Sequence, residues 1–176
     1  MEVVYLLGGL APDSNEPMPL ETREYVKGNW KRIQKMIPYT KFNYDFWTSC
    51  EPKRSTYPAC RAVICAKKQH PDFENLMIHG IQNSYYLEAQ NPSNENVLIK
   101  IAKKLGLDTN KFKLDLQSSQ VNEILLDEIK LARSMDLYSM PSLALRINDT
   151  LKLIDIDYLD ANYIVKQIIP WIKSHN

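Results

Sequence analysis

The chain opens on a short apolar, β-branched run, Glu2 to Leu7 (EVVYLL), closed by Gly8-Gly9, which predicts a buried strand entering a tight turn. Ala11 to Pro19 holds three prolines among Asp, Ser and Asn and reads as a loop. Leu20 to Ile37 then carries Tyr25, Trp30, Ile33 and Ile37 at helical spacing, and Pro38 stops that helix. From Tyr39 to Trp47 five aromatic residues crowd together. The alternation of Phe42, Tyr44 and Phe46 suits a short extended segment whose rings plug a core.

Ser55-Thr56 supplies hydroxyl caps ahead of Pro58, so a helix starts near Pro58 and runs to about Gln69. Phe73 to Ala89 places Leu76, Met77, Ile81 and Tyr85 on one face. Val97, Leu98, Ile101, Ala102 and Leu105 draw a second amphipathic helix that Gly106 ends. Lys111 to Leu116 predicts one short turn of helix. Ser118-Ser119 caps the longest periodic segment, whose stripe of Val121, Ile124, Leu125, Ile129, Ala132 and Met135 breaks at about Met135-Asp136. The texture then changes. Pro141 to Ile147 and Leu151 to Ile156 are strand-like runs joined by a hairpin connection, and Tyr158 to Ile172 closes the chain as a helix.

Composition narrows the function classes. The chain has 176 residues, 44% of them hydrophobic, enough for one buried core. Lys and Arg total 22 against 21 Asp and Glu, so the net charge of +1 lacks the broad electrostatic footprint of a nucleic-acid or polybasic membrane-surface binder. The first ten residues lack a basic n-region, and no run approaches bilayer length, so neither a leader nor an anchor is expected. Three cysteines argue against a disulfide framework and for a reducing compartment, with the cytoplasm as the expected location.

The cysteines, Cys50, Cys60 and Cys65, include no pair separated by two residues. Cys60 and Cys65 lie five apart on one predicted helix and do not face each other. Two readings of Cys60 stand side by side. It is a reactive thiol near a helix start flanked by Arg61, or a small residue packed inward among Ala59, Ala62, Val63 and Ile64; the second is preferred. Cys50, in a polar turn, is expected to be exposed rather than catalytic. His70, His79 and His175 share no ligand spacing with one another or with the cysteines, so no metal is expected. Gly8-Gly9 is a turn, since no following Lys-Ser/Thr makes it a phosphate loop.

Several words of this sequence carry a resemblance. Val4-Tyr5-Leu6-Leu7-Gly8-Gly9-Leu10-Ala11-Pro12, Phe42-Asn43-Tyr44-Asp45-Phe46-Trp47, Arg54-Ser55-Thr56-Tyr57-Pro58-Ala59-Cys60-Arg61-Ala62, Tyr85-Tyr86-Leu87-Glu88-Ala89 and Asn91-Pro92-Ser93 resemble the thioredoxin-fold proteins of the DsbA family. Within it they are similar to the cytoplasmic branch labelled predicted protein-disulfide isomerase. The resemblance implies an α/β fold in which residues 1–17 and 118–176 form a thioredoxin-like half and residues 18–117 an inserted all-helical domain. It also implies a cis-proline loop at Met140-Pro141-Ser142-Leu143.

In intact relatives that loop presents backbone to an extended polypeptide. The resemblance thus makes Met140, Pro141 and Ser142, with Tyr57, substrate-contact residues, and Tyr85 and Tyr86 groove residues unless they pack in the core. Relatives carry a first strand and a Cys-x-x-Cys helix start ahead of the strand that ends in Leu-Gly-Gly-Leu-Ala-Pro, whereas this chain begins at that later strand. A truncated product, a misplaced start codon and a fragment are each compatible with Met1 at this point. The family activity is thiol-disulfide oxidoreduction without a bound cofactor, and without the dithiol this chain is expected not to perform it. Two alternatives remain: a glutathione-using isomerase of the hydroxychromene carboxylate type, with glutathione as substrate, and a non-catalytic polypeptide-binding adaptor. Exposed strand edges raise the further expectation of a homodimer.

Overall fold

The structure, a computed structural model, describes residues 2–175, His175 in its backbone alone. Met1 and the side chain of His175 therefore lie outside the described residues. The order is α1 (Leu20–Met36), α2 (Phe46–Ser49), α3 (Tyr57–Gln69), α4 (Phe73–Tyr86), α5 (Glu95–Lys104), α6 (Thr109–Leu116), α7 (Ser119–Ser134), β1 (Leu143–Ile147), β2 (Thr150–Ile154) and α8 (Ala161–His175). The chain divides into two compact units, Gly9–Asp127 and Met1–Gly8 with Glu128–Asn176.

In the helical unit α3 is the axis. Ala62 to Ala66 are five consecutive buried residues, which covers every side of a helix, and α3 accordingly packs against α4, α5 and α6. α5 turns Val97, Leu98, Ile101 and Ala102 inward under an Asn94 cap that accepts from the Asn96 N–H at 3.0 Å. Its end is a Schellman turn. The Gly106 N–H reaches the Lys103 carbonyl, the Leu107 N–H reaches that of Ala102, and Gly106 sits at φ +79°, where a side chain would be strained. Asp108 caps α6, and the Ser118 hydroxyl accepts from the Val121 N–H at 3.2 Å to start α7.

One helix-start expectation changes here. Ser55 and Thr56 do not cap α3: the Thr56 hydroxyl exchanges hydrogen bonds with both backbone groups of Ala11, and the Ser55 hydroxyl accepts from the Ser14 N–H. Arg61 adds a fork onto Asp13, at 2.7 and 2.8 Å, and reaches Asn122 at 3.3 Å. These bonds bind the loop at residues 11–14 into the helical unit, which starts at Gly9, whereas the resemblance implies a first division at 17/18.

The aromatic run forms no extended strand either. Phe46 and Trp47 belong to the short helix α2, and the rings close around Trp30 with Tyr85 and Tyr86. Trp30 contacts Phe42, Tyr44, Phe46, Trp47, Tyr85 and Tyr86 at centroid distances from 4.8 to 6.1 Å. Inward packing from two chain segments decides the backbone here, against the local alternation. The plug reading of these aromatics is what the packing shows.

In the other unit, β1 and β2 form an antiparallel hairpin with Leu143 opposite Ile154 and Ile147 opposite Thr150. Asn148, at φ +52°, begins its two-residue turn. α8 packs on both strands: Gln167 exchanges two 3.0 Å bonds with the Asp155 backbone, and the Lys152 ammonium lies over the Trp171 ring. Glu2 to Leu7 does not form the expected strand. Among the described residues β1 pairs with β2 alone, Val3 and Val4 are exposed, and the Leu7 N–H is taken by the Glu128 carboxylate at 2.9 Å. A β-branched run becomes a strand only where a ladder receives it, and none among the described residues does.

Candidate functional site

Met140, Pro141 and Ser142 lead directly into β1, and the Met140–Pro141 bond is cis. Gly8 makes room for this loop: a Cβ at that position would collide with the Met140 side chain, which lies against the glycine. Met140 still presents part of its flexible thioether chain to solvent, and Pro141 is exposed. The Ser142 hydroxyl donates to the Ser139 carbonyl, closing the loop on itself. Beyond Ser142 the outer edge of β1 offers N–H and C=O groups that no strand among the described residues takes.

The remaining sequence-named residues sit in the helical unit. Tyr57 is half-buried at the first turn of α3. Cys60 is half-buried on the same helix, and the fully enclosed thiol is Cys65 instead. Desolvation pushes the Cys65 thiol up to about 12. Arg61, read in sequence as a charge beside Cys60, spends its guanidinium on Asp13. Cys50 is half-buried, not exposed, and donates to the Ala89 carbonyl. Tyr85 and Tyr86 place their rings in the cluster around Trp30, and burial raises both phenols. Among the described residues no three His, Cys, Asp or Glu side chains converge as metal ligands.

A cavity of about 630 Å³ in the helical unit is lined by Asp13, Pro58, Arg61, Glu95, Ser118 and Asn122 among others. Arg61 there is paired with Asp13, and Glu95 accepts from the Gln117 amide at 3.1 Å.

Burial of these acids has a consequence for pH. The folded chain holds the Cys65, Tyr85 and Tyr86 protons more tightly than an unfolded chain does. Stability from Cys65 is therefore complete below its ordinary value of 9.0 and is lost as pH rises toward 12, with the tyrosines adding in the same direction. Denaturant melts across that interval should show a falling midpoint, less steep in Cys65→Ala. A flat midpoint would show that these groups titrate freely in the folded chain.

The sequence profile of the family described as Thioredoxin matches residues 15–156, so the chain belongs to that family. Its fold is thioredoxin-like with a helical insertion, of the DsbA kind. It is similar in structure to a candidate protein disulfide isomerase from Nitrosomonas europaea, with a TM-score of 0.79 at 19% identity over 95% of this chain and 81% of that one. It is also similar to the cytosolic disulfide reductase DsbM from Pseudomonas aeruginosa, with a TM-score of 0.68 at 21% identity over 84% and 72% of the two chains. At these identities the likeness speaks for the fold.

In sequence the chain is 26% identical over 122 residues to the ClpXP adapter protein SpxH of Halalkalibacterium halodurans, which covers 69% of this chain and 39% of that protein. It is 32% identical over 93 residues to SpxH of Bacillus subtilis, covering 53% and 31%. The chain thus spans about a third of the length of these curated relatives. No helix among the described residues is long and apolar enough to cross a membrane.

Proposed function

We propose that this chain is a polypeptide-binding module of the thioredoxin family, acting as an adaptor in the cytoplasm and not as a thiol-disulfide catalyst. The observation that carries the reading is the edge of β1 left unpaired among the described residues, entered directly from the Met140-Pro141-Ser142 loop. An extended polypeptide laid along that edge gains main-chain hydrogen bonds, and Met140 and Ser142 contact its side chains. The cysteines support the negative half: their spacing offers no neighbouring pair, and Cys65 is enclosed and hard to ionise. That curated relatives are adapter proteins supports the positive half. The reading requires no metal and no cofactor.

The test is equilibrium binding of a permanently unfolded, carboxymethylated polypeptide, which offers strands but no thiols. Met140→Ala and Ser142→Ala are each expected to weaken it several-fold, about 1 kcal/mol for a lost contact at the edge of an interface. Binding that ignores both substitutions would move the site away from this loop.

A further inference from the structure

Glu2 to Leu7 has the composition of a strand and the hydrogen bonds of none. Among the described residues the backbone groups of Glu2 to Leu6 have no hydrogen-bond partner, and the Leu7 N–H goes to the Glu128 carboxylate. No helix, turn or bend falls between residues 2 and 10 to satisfy these groups locally. Every position from Val3 to Leu7 is apolar, which is the pattern of a strand covered on both faces, whereas a strand meant to stay free carries charge or proline that discourages pairing. Yet Val3 is 69% exposed, Val4 67% and Tyr5 45%.

The run ends at the loop that opens β1. Gly8 receives the Met140 side chain, and Glu2 to Leu7 belongs to the same compact unit as the hairpin. The chain enters this contact along the run and leaves it along Leu143–Ile147, so one stretch points toward the junction and the other away from it. They do not pair with each other: β1 takes β2 as its neighbour, and its other edge is open among the described residues. Two largely apolar stretches with unpaired main chain therefore meet at Met140 without closing on one another.

We infer that Glu2 to Leu7 is a second edge of the polypeptide site, so that an extended apolar segment of a partner protein bound on β1 also pairs with this run and becomes an interior strand. The inference rests on the β1 reading and deepens it. The open groups select the occupant. Unpaired N–H and C=O groups along both stretches are matched by another extended main chain, and side chains that are apolar at successive positions are matched by β-branched and aliphatic ones. A segment antiparallel to β1 runs parallel to Glu2 to Leu7, and parallel strands are the ones that read as continuous apolar runs. A helix is the poorer occupant, because its backbone groups are already paired within it.

Fluorescence anisotropy tests it with a labelled, thiol-free Val/Thr peptide carrying lysines at its ends, and with two copies N-methylated at alternate residues, one along each edge of the strand. A site whose only edge is β1 accepts either copy, because each can present its unmethylated edge. A site with two edges accepts neither. Each copy is expected to bind about tenfold or more weakly than the parent peptide, since several main-chain hydrogen bonds are lost together. In the chain, Val4→Pro and Tyr5→Pro remove N–H groups that point to opposite sides of an extended run, and at least one should weaken the parent peptide about fivefold while circular dichroism stays unchanged. Either methylated copy binding as tightly as the parent would overturn the inference and leave the β1 reading standing. No binding of the parent peptide would overturn both. A doubled mass in light scattering that the peptide does not reverse would put a second copy of the chain in this place and also overturn the inference.

Discussion

Trp30→Ala is expected to remove about 3–5 kcal/mol from the stability of the helical unit, the range for deleting a large buried aromatic. Its ring touches six others, and it is the buried residue by which α1 is held. The cavity left behind has no easy way to collapse, because the surrounding rings come from two separate stretches, at residues 42–47 and 85–86. Since a domain holds only about 5–15 kcal/mol in all, much of the population should unfold under mild denaturant. Trp30→Phe, which keeps ring contacts, should lose markedly less. Urea melts followed by far-ultraviolet circular dichroism compare the three proteins. A loss under about 1 kcal/mol in Trp30→Ala would mean the cluster is not a packed core.

Insulin reduction by dithiothreitol is expected to run at the same rate with and without this chain. Disulfide exchange needs a thiolate to attack and a second thiol within reach to resolve the mixed disulfide. Cys60 and Cys65 lie five residues apart on α3, Cys65 is enclosed with its thiol held up to about 12, and Cys50 lies outside that helix with its sulfur bonded to the Ala89 carbonyl. Cys60→Ser should therefore leave the rate where it was. Turnover above background that vanishes in Cys60→Ser would show a single-thiol reaction and return the chain to the enzymes of its fold.

Where the hydrophobic period was long, the sequence was enough to place the element. The stripe of α7 ends in the structure at the Met135-Asp136 break, with Asp136 at φ +59° closing the helix in the way glycine closes α5. The hairpin was legible because both apolar runs and their turn lie within sixteen residues. Glu2 to Leu7 was not, because its strand character depends on a partner and local composition says nothing about one.

Phe42 to Phe46 misled for the related reason that its rings answer to Trp30 and Tyr85, each ten or more residues away. At the candidate site, the loop at Met140 to Ser142 was legible through its likeness to a family motif. The seat that Gly8 gives Met140 spans more than a hundred residues of sequence and was not. Among the cysteines, neighbouring small residues suggested burial for Cys60; the full enclosure fell one turn and a fraction later, on Cys65, where α4, α5 and α6 surround the helix.

The central claim is that a polypeptide pairs with the open edge of β1 without thiol chemistry, and amide hydrogen exchange on the chain with and without the carboxymethylated polypeptide reads that edge directly. The account predicts that exchange slows across Leu143–Ile147 on binding and does so equally in Cys60→Ser. Binding that leaves the exchange of Leu143–Ile147 unchanged, or protection that disappears with the Cys60 thiol, would contradict it.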